Sequence, residues 1–296
     1  MTALPASVQQ RVEAEIGAPI QRAGAVGGGC IANATRIETA AGRFFLKWAA
    51  GDAGARFSAE ADGLAALRET RDTSGADLLV PEALLAHDAG DGPGLLLMEW
   101  VEPGRPDRAA WSGFGEALAV LHAEAAGDGR YGFHRGNSIG ATPQPNGWTD
   151  RWPEFFRDRR LGPQIDLARQ NGRWNPAWNA PADRLLARLD DLLPANPHAS
   201  TLHGDLWSGN ALAAASGRFA LIDPATYVGH AEADLALTEL FGGFDRAFYR
   251  AYWGGDAPSG YAERREVYNL YHVLNHLNLF GESYAAGVAR TLERFG

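Results

Sequence analysis

The spacing of apolar residues changes once along this chain, near residue 102, and that change limits the fold more than any other feature. Before it, short apolar runs are separated by turn residues: AVGGGCIANATRIETA (25–40), GRFFLKWA (42–49), LLVPEALLAHD (78–88) and PGLLLMEWVE (93–102). The first reads as two strands joined by a glycine-rich turn and the others as one strand each, with Pro81 breaking the third run. Two stretches differ. FSAEADGLAALRET carries helical spacing through Phe57, Leu64 and Leu67, and the first residues place Val8, Val12 and Ile16 four apart on one face of a helix. Beyond residue 102 the pattern is helical. RPDRAAWSGFGEALAVLHAEAA predicts a helix of about four turns, strained near Gly113 and Gly115. A Gly-, Asn- and Pro-rich loop follows over 127–147, then helices around 151–170, 181–193, 231–254, 261–280 and 282–295. The expectation is an α+β, two-lobed chain: a small β-rich lobe, residues 1–102, and a larger, mainly helical lobe, residues 103–296.

Composition excludes several classes. With 46% apolar residues among 296, the chain can bury a large core. A formal charge of −9 without a basic block argues against nucleic acid as a partner, because phosphate contacts need clustered Lys and Arg. No run approaches the roughly 18–20 apolar residues of a membrane span, so no membrane partner is expected. MTALPASVQQRVEAEIG lacks the basic start and apolar centre of a signal peptide, which points to the cytoplasm. Cys30 is the one cysteine, so a protein disulfide can form only between chains; the expected state is a monomer or a redox-sensitive dimer through Cys30.

The chemistry gathers around LHGDLWSGN (202–210). Asp205 and Asn210 stand in D-x-x-x-x-N spacing, and an apolar run ends in Asp223 thirteen residues after Asn210. A loop that leaves one strand and returns in the next can turn the first carboxylate to a substrate hydroxyl and the amide to a metal. Protein kinases use this spacing, with a later strand-end aspartate on Mg2+. The first lobe holds the matching parts in the matching order. Gly28, Gly29 and Cys30 form a turn whose N–H groups could approach phosphates. Lys47 lies on a strand, and Glu60 follows thirteen residues later on a helix. Met98, Glu99 and Val101 stand where a hinge would meet adenine. Taken singly, these residues are a solvated edge lysine, a surface glutamate, a loop and a core strand. Their joint order makes the pattern specific.

Five stretches, HGDLWSGN, IDPATYVGHAEADLAL, ELFGGF, FYRAY and LYHVLNHLNLFG, resemble the fructosamine kinase (ketosamine-3-kinase) family of aminoglycoside-phosphotransferase-like kinases, over about Gly27 to Tyr284. The resemblance implies a protein-kinase-like fold, ATP and Mg2+, and phosphorylation of the 3-hydroxyl of ketosamines (ribulosamine, erythrulosamine or fructosamine adducts of amines or proteins), which frees the amine. It implies Asp205 as base, Asn210 and Asp223 on the metal, Lys47 oriented by Glu60 on the phosphates, and His203 and Asp234 as braces. Trp207 has two readings, a sugar-stacking face or packing against the helix of Leu274 and His276. His272 and His276, four apart, form a metal pair without an evident third ligand and read better as packed core. Trp100 and the glycine-rich run depart from the family pattern and touch only nucleotide geometry. Two alternatives stand beside this reading: a kinase of another alcohol (aminoglycoside, choline or thiosugar), and a nucleotide-binding pseudokinase. Retention of Lys47, Glu60, Asp205, Asn210 and Asp223 counts against the second.

Overall fold

The computed structural model describes residues 4–27 and 32–296. Strands β1 (Ile20–Ala25), β2 (Asn33–Thr39), β3 (Gly42–Ala49), β4 (Ala83–His87) and β5 (Gly94–Glu99) form one antiparallel sheet in the order β1-β2-β3-β5-β4. Side-chain alternation explains what covers it. Ile37, Leu46, Leu95 and Leu97 point to one face and pack with Val8 and Val12 of helix α1 (Ala6–Ile16). Leu96 and Met98 point to the other, against Leu64 and Leu67 of helix α2 (Phe57–Ser74). β4 begins two residues after Pro81 and sits at the sheet edge, where a missing N–H costs no ladder bond.

The α2 side of the sheet shares its core with the helical part. Leu67 and Leu96 belong to the same buried cluster as Leu118, Leu206, Leu221 and Phe248. Helix α3 (Arg108–Ala123) starts at Asp107, whose side chain accepts from the Ala110 N–H at 2.8 Å, and it runs unbroken through Gly113 and Gly115. The expected strain is absent because Gly115 serves packing. A Cβ there would lie 2.2 Å from the Phe248 carbonyl oxygen, so the missing side chain lets another helix backbone cross in contact.

Two expectations fail. The 127–147 stretch contains a hairpin, β6 (Asn137–Ile139) and β7 (Thr142–Gln144), each strand too short to leave a periodic signal. After it come α4 (Trp152–Phe156), a π-helical turn (Arg157–Leu161), α5 (Gly162–Gln170), α6 (Asn179–Ala187) and α7 (Leu189–Leu192). Short strands β8 (Ser200–Leu202), β9 (Ala211–Ala213), β10 (Phe219–Leu221) and β11 (Tyr227–Gly229) pair as β8 with β11 and β9 with β10. The helix expected over 231–254 is two, α8 (Glu232–Leu240) and α9 (Arg246–Trp253). Gly242 and Gly243 take φ 97° and 76° and end the first, and the Asp245 carboxylate caps the second. Helices α10 (Tyr261–Phe280) and α11 (Ala285–Phe295) close the chain, and no helix among the described residues is long and apolar enough to cross a membrane.

Candidate active site

The loop between β8 and β9 is held from below by one carboxylate. Asp234, in the first turn of α8, accepts from the His203 N–H at 2.7 Å and the Gly204 N–H at 2.8 Å. Burial works against this charge, but neighbouring His122 and His203 and the Gly204 N–H outweigh it and keep the carboxyl below its usual range. His122 of α3 lies 3.4 Å from Asp234 and shares its other ring nitrogen with the Tyr252 hydroxyl at 2.9 Å. His203 is fully buried. Its Nδ1 accepts from the Asp205 N–H at 3.2 Å, so Nε2 carries the proton and donates to the Ile222 carbonyl at 2.9 Å. Burial lowers its pKa, and the ring is a neutral link between this loop and the residue before Asp223. Gly204 has φ 81°, and a Cβ on it would meet the Ala225 carbonyl oxygen at 2.1 Å, which leaves glycine as the residue that fits.

Asp205 and Asn210 meet directly. The Asn210 amide donates to the Asp205 carbonyl at 2.8 Å and to its carboxylate at 3.1 Å, and no described residue donates to its Oδ1. Burial pushes the Asp205 carboxyl up to about 7; the Asn210 bond opposes this and the Asp223 charge adds to it. Asp223, just past β10, is the one non-glycine described residue with positive φ, 57°, a conformation Asp tolerates better than most. The structure joins it to the sheet. Lys47 Nζ on β3 lies 2.6 Å from Glu60 Oε1 on α2 and 2.6 Å from Asp223 Oδ1. Burial disfavours the ammonium, yet the two carboxylates outweigh it and hold Lys47 above its ordinary pKa. Glu60 is raised by its burial and by Asp223, against the pull of Lys47. Helix α2 seats closely here. A Cβ on Gly63 would stand 2.9 Å from the Thr226 hydroxyl and 3.4 Å from the Pro224 ring.

The donor set suits a hard cation. Asn210 and Asp223 offer oxygen, as Mg2+ requires, and Mg2+ commonly takes its remaining ligands from phosphates and water. Among the described residues no three His, Cys, Asp or Glu side chains converge into a closed cage.

The other predicted residues fall as follows. Met98, on β5, is buried on the α2 face of the sheet, the Glu99 N–H is engaged by the Glu82 carbonyl at 3.0 Å, and the Val101 N–H makes no bond to a described residue. Gly28, Gly29 and Cys30 lie outside the described residues. Trp207 is 39% exposed; its ring folds over Gly209, 2.4 Å from where a Cβ there would stand, and it joins no core cluster. His276 Nδ1 pairs with the His272 carbonyl at 2.8 Å, and the two rings gather no metal ligand among the described residues. Sequence reasoning missed His122, a single helix histidine whose partner is remote in the chain. It also missed the hairpin amides Asn137 and Gln144, which donate to the carbonyls of Thr226 and Ala225, the residues just beyond Asp223 and Pro224.

Comparison with known proteins decides the family. A model of the family described as fructosamine kinase matches residues 4–295. The chain belongs to the fructosamine kinase family. Among curated relatives of this fructosamine kinase family member, the "Probable ketoamine kinase" of Synechocystis is 39% identical, the match covering 97% of this chain and 95% of the relative. The chloroplastic protein-ribulosamine 3-kinase of Arabidopsis thaliana is 36% identical over 93% and 83%. A crystal structure described as a "putative fructosamine-3-kinase" of Thermobifida fusca superposes with TM-score 0.83 at 30% identity, covering 97% of both chains. An aminoglycoside phosphotransferase shares the fold at TM-score 0.64 and 16% identity, covering 98% of this chain and 99% of that one. The fold is protein-kinase-like, with an antiparallel-sheet lobe and a mostly helical lobe.

Proposed function

We propose that this protein is an ATP- and Mg2+-dependent kinase that phosphorylates the 3-hydroxyl of ketosamines, the ribulosamine, erythrulosamine or fructosamine adducts of amines, and so initiates their removal. The observation that carries the reading is the meeting of Lys47, Glu60 and Asp223 at 2.6 Å contacts beside the Asp205–Asn210 pair, in a chain of the fructosamine kinase family. The nucleotide requirement fits a cytoplasmic enzyme.

Each side chain has a task in this reading. Asp205 accepts the proton of the sugar hydroxyl as its oxygen bonds to the γ-phosphorus and ADP departs. A carboxyl pushed up to about 7 is matched to that work near neutral pH. Lys47 exchanges its contact with Asp223 for the α- and β-phosphates while Glu60 keeps it aimed. Asn210 and Asp223 would hold Mg2+, whose charge offsets that of the phosphates. Asp234 and the neutral His203 keep the loop in register. The carbonyl of Glu99 and the N–H of Val101 receive adenine beside Met98. Trp207, exposed two residues after Asp205, offers a flat face to the sugar C–H surface and the protonated amine.

The test is phosphate transfer from ATP to a panel of ribulose-, erythrulose- and fructose-modified amines, aminoglycosides and choline, each with Mg2+ or with chelator. Mg2+-dependent phosphorylation of the ketosamine sugar is expected, and Asp223→Ala should abolish it while weakening Mg·ATP binding. Transfer to an aminoglycoside or choline alone, or ATP binding with no transfer to any acceptor, would give the site to one of the alternatives.

A further inference from the structure

Arg160 occupies an unusual place. It is fully buried in the π-helical turn, and no carboxylate among the described residues lies within ion-pair distance of it. Its guanidinium carbon instead sits 3.9 Å from the Tyr227 ring centre, 4.5 Å from Phe155 and 5.6 Å from Tyr271. It donates to the carbonyls of Pro145 and Arg159 and to Asn146 Oδ1, each at 2.8 Å, while Nε has no partner. Burying an unneutralised charge is costly, and π turns are rare in helices and gather at functional sites. A stable core would be easier to build without either.

What this cation grips leads to the cleft. Asn146 donates to Asn137 Oδ1 at 3.0 Å, and Gln144 donates to the same oxygen at 2.8 Å and to the Ala225 carbonyl at 3.0 Å. Tyr271, beneath the guanidinium, donates to Gln144 Oε1 at 2.6 Å, and Asn137 donates to the Thr226 carbonyl at 2.8 Å. The same segment reaches the sheet lobe. Arg135 meets Asp62 of α2 at 2.7 Å, the Ala141 carbonyl at the hairpin tip accepts from Arg56 at 2.6 Å, and the Thr226 hydroxyl donates to the Gly63 carbonyl at 3.3 Å. The hairpin, with Arg135 just before it, therefore touches both the segment that follows Asp223 and the helix that carries Glu60.

We infer that Arg160 is a positioning residue: through hairpin β6–β7 it fixes helix α2 and the Asp223 segment relative to each other, so that the Lys47–Glu60 pair is built into the fold and needs no separate activating event. The kinetic consequence rests on the kinase reading above; the structural coupling does not.

The experiment uses the full chain with Arg160→Met, which keeps volume without charge, and Asn137→Asp, which keeps shape but loses the donor to Thr226. Amide exchange should quicken over 57–64 and 225–227 in both variants at nearly unchanged melting temperature. On the ketosamine, kcat should fall about tenfold or more, since small misplacements of reacting groups are expensive, with the acceptor KM within about threefold. The double variant should fall little further than the worse single one, as expected for two groups in one connected network. Wild-type exchange and turnover in both variants, losses that follow only the globally unfolded fraction, or strictly additive losses would overturn the inference. Should Arg160→Met fail to fold, Asn137→Asp decides alone. Should the wild type transfer nothing to ketosamines, the kinase reading falls, and exchange still decides the coupling.

Discussion

Lys47 and Arg160 are both cations withdrawn from water, and they are compensated in opposite ways. Lys47 has two carboxylates at 2.6 Å, and one of them, Asp223, is 41% exposed on its side chain. Arg160 has none; rings and amide oxygens take their place, and its Nε is left without a partner. Three ring contacts and three charge-assisted hydrogen bonds stand in for a counter-ion and offset part of the guanidinium's desolvation. The difference separates two kinds of task. Carboxylate partners can be traded for phosphate or metal during a reaction, whereas a guanidinium held by rings and carbonyls has nothing to trade. The cleft is made of exchangeable charges and the region beneath it of fixed ones.

That contrast can be broken by variants, beginning with the largest effect. Asp205→Asn should lower kcat by about two orders of magnitude or more, the scale of general-base catalysis, with ATP affinity nearly unchanged in a titration. Wild-type turnover would remove Asp205 from the chemistry. Lys47→Met should reduce kcat/KM at least about tenfold, as the loss of a charge-stabilising contact to the phosphates implies, while the melting temperature shifts by only a few degrees. Unfolding of this variant instead would mean that the cleft charges hold the fold together and are not free to be exchanged. Trp207→Ala should raise the acceptor KM several-fold, for a lost stacking and cation contact worth about 1 kcal/mol, sparing that for ATP, with partial recovery in Trp207→Phe. A large loss of thermal stability would return Trp207 to the core.

The smallest effect concerns acid. Burial lowers the His272 pKa to about 3 and that of His230 to about 4, both below the unfolded value near 6.5. The native state therefore binds fewer protons than the unfolded chain in this window. Stability from each histidine is complete above about pH 6.5 and is lost as pH falls toward the folded pKa, by at most about 1.4 kcal/mol per pH unit per group. Asp205, raised to about 7, acts in the opposite sense between its unfolded value and neutrality and offsets part of the loss. Melting temperature measured from pH 7 to 4 should fall, and His272→Gln should flatten the fall; an unchanged slope would show that His272 is not held neutral.

The exchangeable half of the molecule was legible in the sequence and the fixed half was not. Lys47 and Glu60 could be paired because a strand lysine and a first-turn glutamate leave local patterns, and Asp205 and Asn210 because five residues of loop set their spacing. The hairpin was hidden: its three-residue strands carry no period, and its binding runs through the half-buried amide of Asn137 and the buried amides of Gln144 and Asn146. Arg160 sits in RDRR, where nothing in the local sequence sets it apart from its neighbours until the π-helical turn carries it inward. The break between α8 and α9 did have a signal, the paired glycines at 242 and 243, which helical spacing on either side obscured.

The close seating of Gly63 has a bearing on inhibitor chemistry. A compound seeking a pocket behind the helix that carries Glu60 would have to swing that helix outward. Here the Gly63 position has no clearance from Thr226, and the Gly63 carbonyl accepts a bond from the hydroxyl it would have to leave. Selective ligands for this scaffold should be sought toward the acceptor side, near the exposed face of Trp207, where the surface is already open.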